Sequence, residues 1–107
     1  MIPTTVSITD DERSAIIAAV REYSETELAP FALERDEKAV FPIEALRHAG
    51  ELGLGGVYIS EDVGGTALSR VDAVSIFEEL AKGDPAIAAY LSIHNMVCWM
   101  IDTYGSE

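Results

Sequence analysis

The stretch from Pro85 to Tyr104 constrains this chain more than any other. Asp84-Pro85 is a helix cap followed by a proline fit for the first helical position, and Gly105 supplies a stop. Read as one helix, these roughly 20 residues reach about 30 Å. Apolar side chains fall almost all round it, and only Ser92, Asn95 and Asp102 share a polar strip. A helix of that kind is wrapped by protein on most sides. Ser92, His94 and Asn95 interrupt it too early for a membrane span of about 18–20 apolar residues. The rest of the chain must supply its neighbours, and four further short helices do not supply enough. Additional protein is expected against it.

Those other helices are punctuated clearly. Thr9 with Glu12 three residues on forms a capping box, and Asp10 and Asp11 favour the same helix start. Ile16, Ile17, Val20, Tyr23 and Leu28 recur at helical spacing until Pro30 ends the run. A short second helix fits Phe31 to Lys38. Phe41-Pro42 opens a third with proline at its first position, Ile43, Leu46, Ala49 and Leu52 as its apolar side, and Gly53 as its stop. A loop with five glycines follows, Gly53 to Leu68, in which Val57-Tyr58-Ile59 is extended at most. Ser69 caps the fourth helix, which Gly83 ends. Its core arc is Ala73, Val74, Ile76, Phe77, Leu80 and Ala81. Asp72, Ser75, Glu78, Glu79 and Lys82 face water. The fold class is therefore all-α, a five-helix orthogonal or up-down bundle occupying residues 1–107 as one domain.

Charge and composition narrow the function. Nineteen acidic residues against seven basic ones give a net charge of -12, which repels phosphate backbones and anionic lipid, so neither nucleic acid nor membrane is a partner. The first residues lack the basic-then-apolar order of a signal peptide and the arginine richness of a transit peptide, so a cytoplasmic location is expected. A single cysteine, Cys98, permits no internal disulfide and reads as a small buried hydrophobe. His48 is expected at the surface and His94 in the core. Neither has a second ligand at helical spacing, so no metal site is expected. The acidic pairs read as solvated faces and caps, because no histidine or nucleophile accompanies them. The glycines match neither a Walker loop nor a dinucleotide fingerprint, since a helix precedes them and the spacings miss. No catalytic or cofactor-binding residue emerges.

The order of short strings is more informative. Glu27-Leu28-Ala29-Pro30, Asp36-Glu37, Phe41-Pro42, Leu52-Gly53-Leu54-Gly55-Gly56, Val63-Gly64-Gly65, Phe77-Glu78-Glu79-Leu80-Ala81 and His94-Asn95 follow one another across essentially the whole chain. No single piece is specific, but in this order and spacing the chain resembles the amino-terminal helical domain of acyl-CoA dehydrogenases. The resemblance implies a longer protein with a β-rich middle domain and a helical carboxy-terminal domain. It implies FAD as hydride acceptor, a glutamate base, an acyl-CoA substrate, electron-transferring flavoprotein as redox partner, and a homo-oligomer, usually a tetramer. Carried over by position, Ala89, Tyr90, Ile93 and Val97 would line the acyl cavity as substrate-binding residues. Bulk at Tyr90 and Ile93 would shorten that cavity and suit a short branched acyl group, and the resemblance implies its oxidation to the 2-enoyl-CoA. The glutamate, flavin and CoA contacts match no position here, so the chain alone is expected to be inactive and free of FAD. The same domain in an acyl-CoA oxidase or nitroalkane oxidase is one alternative. A free-standing helical interaction module, its apolar surface covered by a partner protein, is another.

Overall fold

A computed structural model describes residues 8–106. Readings that fall on the first seven residues or on Glu107 lie outside the described residues. The elements are α1 (Asp10–Tyr23), α2 (Ala32–Lys38), α3 (Ile43–Glu51), α4 (Arg70–Gly83) and α5 (Pro85–Tyr104), with short 3-10 and π turns between them. No strand occurs among the described residues. The expected all-helical bundle is what forms.

Local chemistry accounts for the helix starts. Thr9 Oγ1 accepts from the Glu12 N–H at 3.1 Å, and Ser69 Oγ does the same for Asp72 at 3.1 Å. Asp84 Oδ1 accepts from the N–H groups of Ala86 and Ile87 at 2.9 and 3.3 Å, with Pro85 at the first helical position. At the end of α3, Gly53 takes φ +84°. Leu54 N–H then reaches the Ala49 carbonyl and Gly53 N–H that of Gly50, both at 3.0 Å, which is the Schellman closure.

Several boundaries and faces differ from the sequence expectation. Pro30 does not break α1 cleanly. The chain passes through a π turn, Ser24–Leu28, and a 3-10 turn, Ala29–Phe31, before α2. The π turn docks on α4, where Ser24 Oγ donates to the Glu79 carbonyl at 2.8 Å. Gly83 is needed there because a Cβ would overlap Ser24. Pro42 caps α3 from outside instead of occupying its first position. The buried side of α3 is Ala45 and Ala49, whereas Ile43 and Leu52 are exposed. Tyr23 selects that face by donating its hydroxyl to the Ala45 carbonyl at 2.6 Å.

On α4 the core side is Ala73, Ile76 and Leu80, with Phe77 half-buried. Val74 and Ala81 face out, while Asp72 and Glu79 are buried. The reason is α1, which lies along the polar flank. Arg13 Nε donates to Asp72 at 2.6 Å, and Arg21 Nη2 to Glu79 at 3.1 Å. These arginines hold both carboxyls below the usual carboxylate range, hydrogen bonding from Arg13 and Arg21 respectively being the largest cause.

The glycine loop folds back on itself. Leu68 N–H bonds the Val57 carbonyl and Ala67 N–H the Ile59 carbonyl, each at 2.8 Å, so the expected extended piece does gain a partner without becoming a strand. A Cβ at Gly65 would run into the Ile59 backbone, which explains glycine at the close approach. The result is a slab 42 × 35 × 19 Å, about two helix layers thick.

Candidate functional site

Helix α5 lies on this slab with one side only. Ile87, Leu91 and Asn95 are buried, and they recur every four residues along one line. At 100° per residue, Tyr90, Ile93, Val97, Met100 and Tyr104 lie in an arc of roughly 80° on the opposite side. Their spacing alternates three and four residues, the pattern of a helix seam awaiting a partner. All five are between 44 % and 76 % exposed. Ala89 flanks the same face and is also exposed.

The four residues expected to meet an acyl chain, Ala89, Tyr90, Ile93 and Val97, thus stand together on an exposed apolar face. None of them lines the clefts of about 780 and 680 Å³. The arrangement is one wall. It can bury an apolar group or a second protein surface. One neighbour reaches it from another element. The Phe41 ring meets Tyr90 edge-on, with centroids 5.6 Å apart and planes at 72°. Sequence spacing carried no signal for this pair, because the partners are far apart along the chain and Phe41 lies in an irregular link.

A second candidate is the cleft of about 780 Å³ between the glycine loop and the carboxy-terminal half of α5. Its walls include His94, Cys98, Asp62 and Asp102. His94 Nε2 is 3.5 Å from Cys98 Sγ. Both placements correct the sequence reading, since His94 is exposed and Cys98 only half-buried. The interior position goes to the next residue, Asn95. Its Oδ1 accepts from Val57 N–H at 2.6 Å and its Nδ2 donates to the Leu54 and Leu91 carbonyls at 2.9 and 2.8 Å. The glycine loop presents backbone groups that need a partner, and an amide satisfies both kinds. His48, expected at the surface, is half-buried, bonds Glu27 through Nδ1 and stands edge-on to Tyr23.

Among the described residues no group of three or more His, Cys, Asp or Glu is placed to hold a metal ion. The cleft also does not fit a flavin dinucleotide. A pyrophosphate asks for cations or a helix start, whereas this cleft is lined by two carboxylates and by neither lysine nor arginine. No helix among the described residues is long and apolar enough to cross a membrane.

The family model for the acyl-CoA dehydrogenase N-terminal domain matches residues 10–107, and the chain belongs to that family. Within the family it is similar to the mitochondrial isobutyryl-CoA dehydrogenase of Bos taurus, with 51 % identity over 85 residues, 79 % of this chain and 20 % of that protein. It is likewise similar to the mitochondrial isobutyryl-CoA dehydrogenase of Dictyostelium discoideum, with 43 % identity over 96 % of this chain and 24 % of that protein. The Bos taurus short/branched chain specific acyl-CoA dehydrogenase shares 34 % identity over 91 % of this chain and 23 % of that protein. The chain spans between a fifth and a quarter of the length of these relatives.

Proposed function

We propose that this chain is the amino-terminal domain of an FAD-dependent dehydrogenase that oxidises a short branched acyl-CoA, isobutyryl-CoA or a near analogue, to the 2-enoyl-CoA. Its part in the whole protein is to supply one wall of the acyl pocket through Ala89, Tyr90, Ile93 and Val97. The observation that carries the reading is the exposed, largely apolar face of α5, on which these four residues converge with no charged side chain among them. Tyr90 and Ile93 fill space along that wall, which shortens a pocket built against it. Identity to proteins named for isobutyryl-CoA and for short branched chains supports the same substrate class. In this reading the flavin, the base and the CoA contacts belong to the remaining length of a protein as long as those relatives. So do docking of electron-transferring flavoprotein and assembly into a homo-oligomer. Residues 1–107 alone are inactive and bind no flavin. A cytoplasmic location also belongs to this reading, although all three of these relatives are named mitochondrial.

The test is Tyr90→Ala in the full-length enzyme. Removing the ring enlarges the pocket by several methylene equivalents, each worth about 1–3 kcal/mol in discrimination. The kcat/KM for a straight-chain substrate such as hexanoyl-CoA rises relative to isobutyryl-CoA. An unchanged preference across chain lengths would show that Tyr90 does not line the pocket.

A further inference from the structure

The link between α2 and α3 is built more rigidly than a connector needs to be. Ala39 ends α2 in the left-handed conformation at φ 54°, although it is not glycine. Val40 N–H reaches the Arg35 carbonyl at 2.9 Å and Ala39 N–H that of Asp36 at 3.3 Å, a complete Schellman closure. Beyond it, Pro42 at φ -84° and ψ 72° makes an inverse γ-turn, with Ile43 N–H bonded to the Phe41 carbonyl at 2.9 Å. Phe41 lies between these two fixed turns. The turns set its backbone, yet its side chain is 58 % exposed and fills no core position.

Its aromatic neighbour is Tyr90. A helical side chain leans toward the helix amino terminus, so the Tyr90 ring lies over the turn that carries Ala86. Ala86 and Ala89 are too small to hold a ring in place. The edge contact from Phe41 supplies the missing lateral support. Beside that contact, a groove of about 680 Å³ separates the α2 end, Val40 and Pro42 from the first turn of α5, Asp84 to Ile87. Both rings are exposed, so they meet at the surface and not within a packed core.

We infer that Phe41 is a specificity-positioning residue, an arm fixed by the turns at Ala39 and Pro42 that holds the Tyr90 ring in the orientation that limits acyl length. This rests on the reading that Tyr90 lines the acyl pocket. Phe41 acts through Tyr90 and needs no contact with substrate. Without the arm, the Tyr90 ring samples rotamers that leave the pocket deeper.

The experiment measures kcat/KM for isobutyryl-CoA and hexanoyl-CoA in the full-length enzyme with Phe41→Ala, Phe41→Tyr, Tyr90→Ala and the double variant Phe41→Ala/Tyr90→Ala. An edge-to-face pair corresponds to about a 2- to 10-fold effect. Phe41→Ala lowers the isobutyryl-to-hexanoyl ratio by about that factor, Phe41→Tyr restores it, and Phe41→Ala adds nothing once Tyr90 is alanine. Phe41→Leu keeps apolar bulk without the ring edge and gives the same fall in ratio if Phe41→Ala fails to fold. If Tyr90→Ala shifts the ratio but Phe41→Ala lowers both activities together, Phe41 is merely structural and the inference is overturned while the pocket reading stands. The inference is overturned in the same way if Phe41→Ala shifts the ratio equally with Tyr90 absent. If Tyr90→Ala itself leaves the ratio unchanged, the pocket reading falls first and the inference with it.

Discussion

Asn95 Oδ1 accepts the backbone N–H of Val57 at 2.6 Å, joining the middle of α5 to the glycine loop 38 residues earlier. The amide is fully buried and makes three hydrogen bonds, two of them to carbonyls of Leu54 and Leu91. Replacing Asn95 with leucine keeps the branched shape but leaves Val57 N–H and Leu54 C=O buried without the amide partner. Each such group costs about 1–3 kcal/mol. Asn95→Leu therefore destabilises the chain by about 2–5 kcal/mol, and Asn95→Asp by at least as much, since it adds a buried charge and loses both donors. Urea denaturation is the measurement. A loss below about 1 kcal/mol for Asn95→Leu would mean the loop closes without the clasp.

The two arginine–carboxylate pairs between α1 and α4 set an acid limit. The carboxyls of Asp72 and Glu79 have folded pKa values lowered from 3.8 and 4.5, chiefly by hydrogen bonds from Arg13 and Arg21. A lowered carboxylate pKa adds stability that is full above the unfolded value and is lost as pH falls through the folded one. Stability is accordingly flat from about pH 6 to 5 on this account and declines below about pH 4.5. The double variant Asp72→Asn/Glu79→Gln is less stable at neutral pH and has a shallower acid limb. Thermal melts from about pH 3 to pH 7 read both, and an unchanged slope would assign the acid limb to other groups.

Tyr23 sets the opposite limit. Burial, then the nearby Glu27 charge, pushes its phenol from 10.0 up to about 12. A raised phenol pKa means that the folded state favours the protonated form. That stability is full below pH 10 and is lost as pH rises toward 12. The proton is also the one donated to the Ala45 carbonyl. Tyr23→Phe lowers stability at pH 7 by about 1 kcal/mol, through loss of that hydrogen bond, and removes the loss between pH 10 and 12. Denaturation at about pH 8, 10 and 11.5 tests it, with an equal alkaline loss in both proteins as the contrary result.

Residues 1–107 in isolation associate through α5. The exposed seam from Tyr90 to Tyr104 amounts to several hundred Å² of apolar surface, unusual for a monomer. Covering it contributes several kcal/mol at about 25 cal/mol per Å². The charge of -12 opposes association, but it is spread over the surface and screened beyond about 8–10 Å in ordinary buffers. Sedimentation equilibrium at two salt concentrations detects dimers, and Ile93→Lys/Val97→Lys returns the chain to monomer. A clean monomer of the unsubstituted chain at high concentration would remove the physical argument that α5 requires a covering partner.

Local sequence set the helix order, the starts of α1, α4 and α5, the stop of α3, and the excess of apolar surface on α5. Thr9, Ser69 and Asp84 each bond an N–H two or three residues away, and Gly53 closes α3 on carbonyls within five residues. Interactions of that range depend on little beyond the local chain, so they are legible in it. The shared face of the proposed acyl wall was legible for the same reason, since Ala89, Tyr90, Ile93 and Val97 come together through helical periodicity alone. Packing between elements settled which polar groups go inside and which apolar ones stay out. Asn95 became a core clasp, His94 an exposed neighbour, and Asp72 and Glu79 buried partners of Arg13 and Arg21. Val74 and Ala81 turned outward because α1 took the other flank of α4. Those outcomes depend on groups 38 to 59 residues apart. A buried polar side chain is stable only where such a partner meets it, and no periodicity within one helix records where that partner will be.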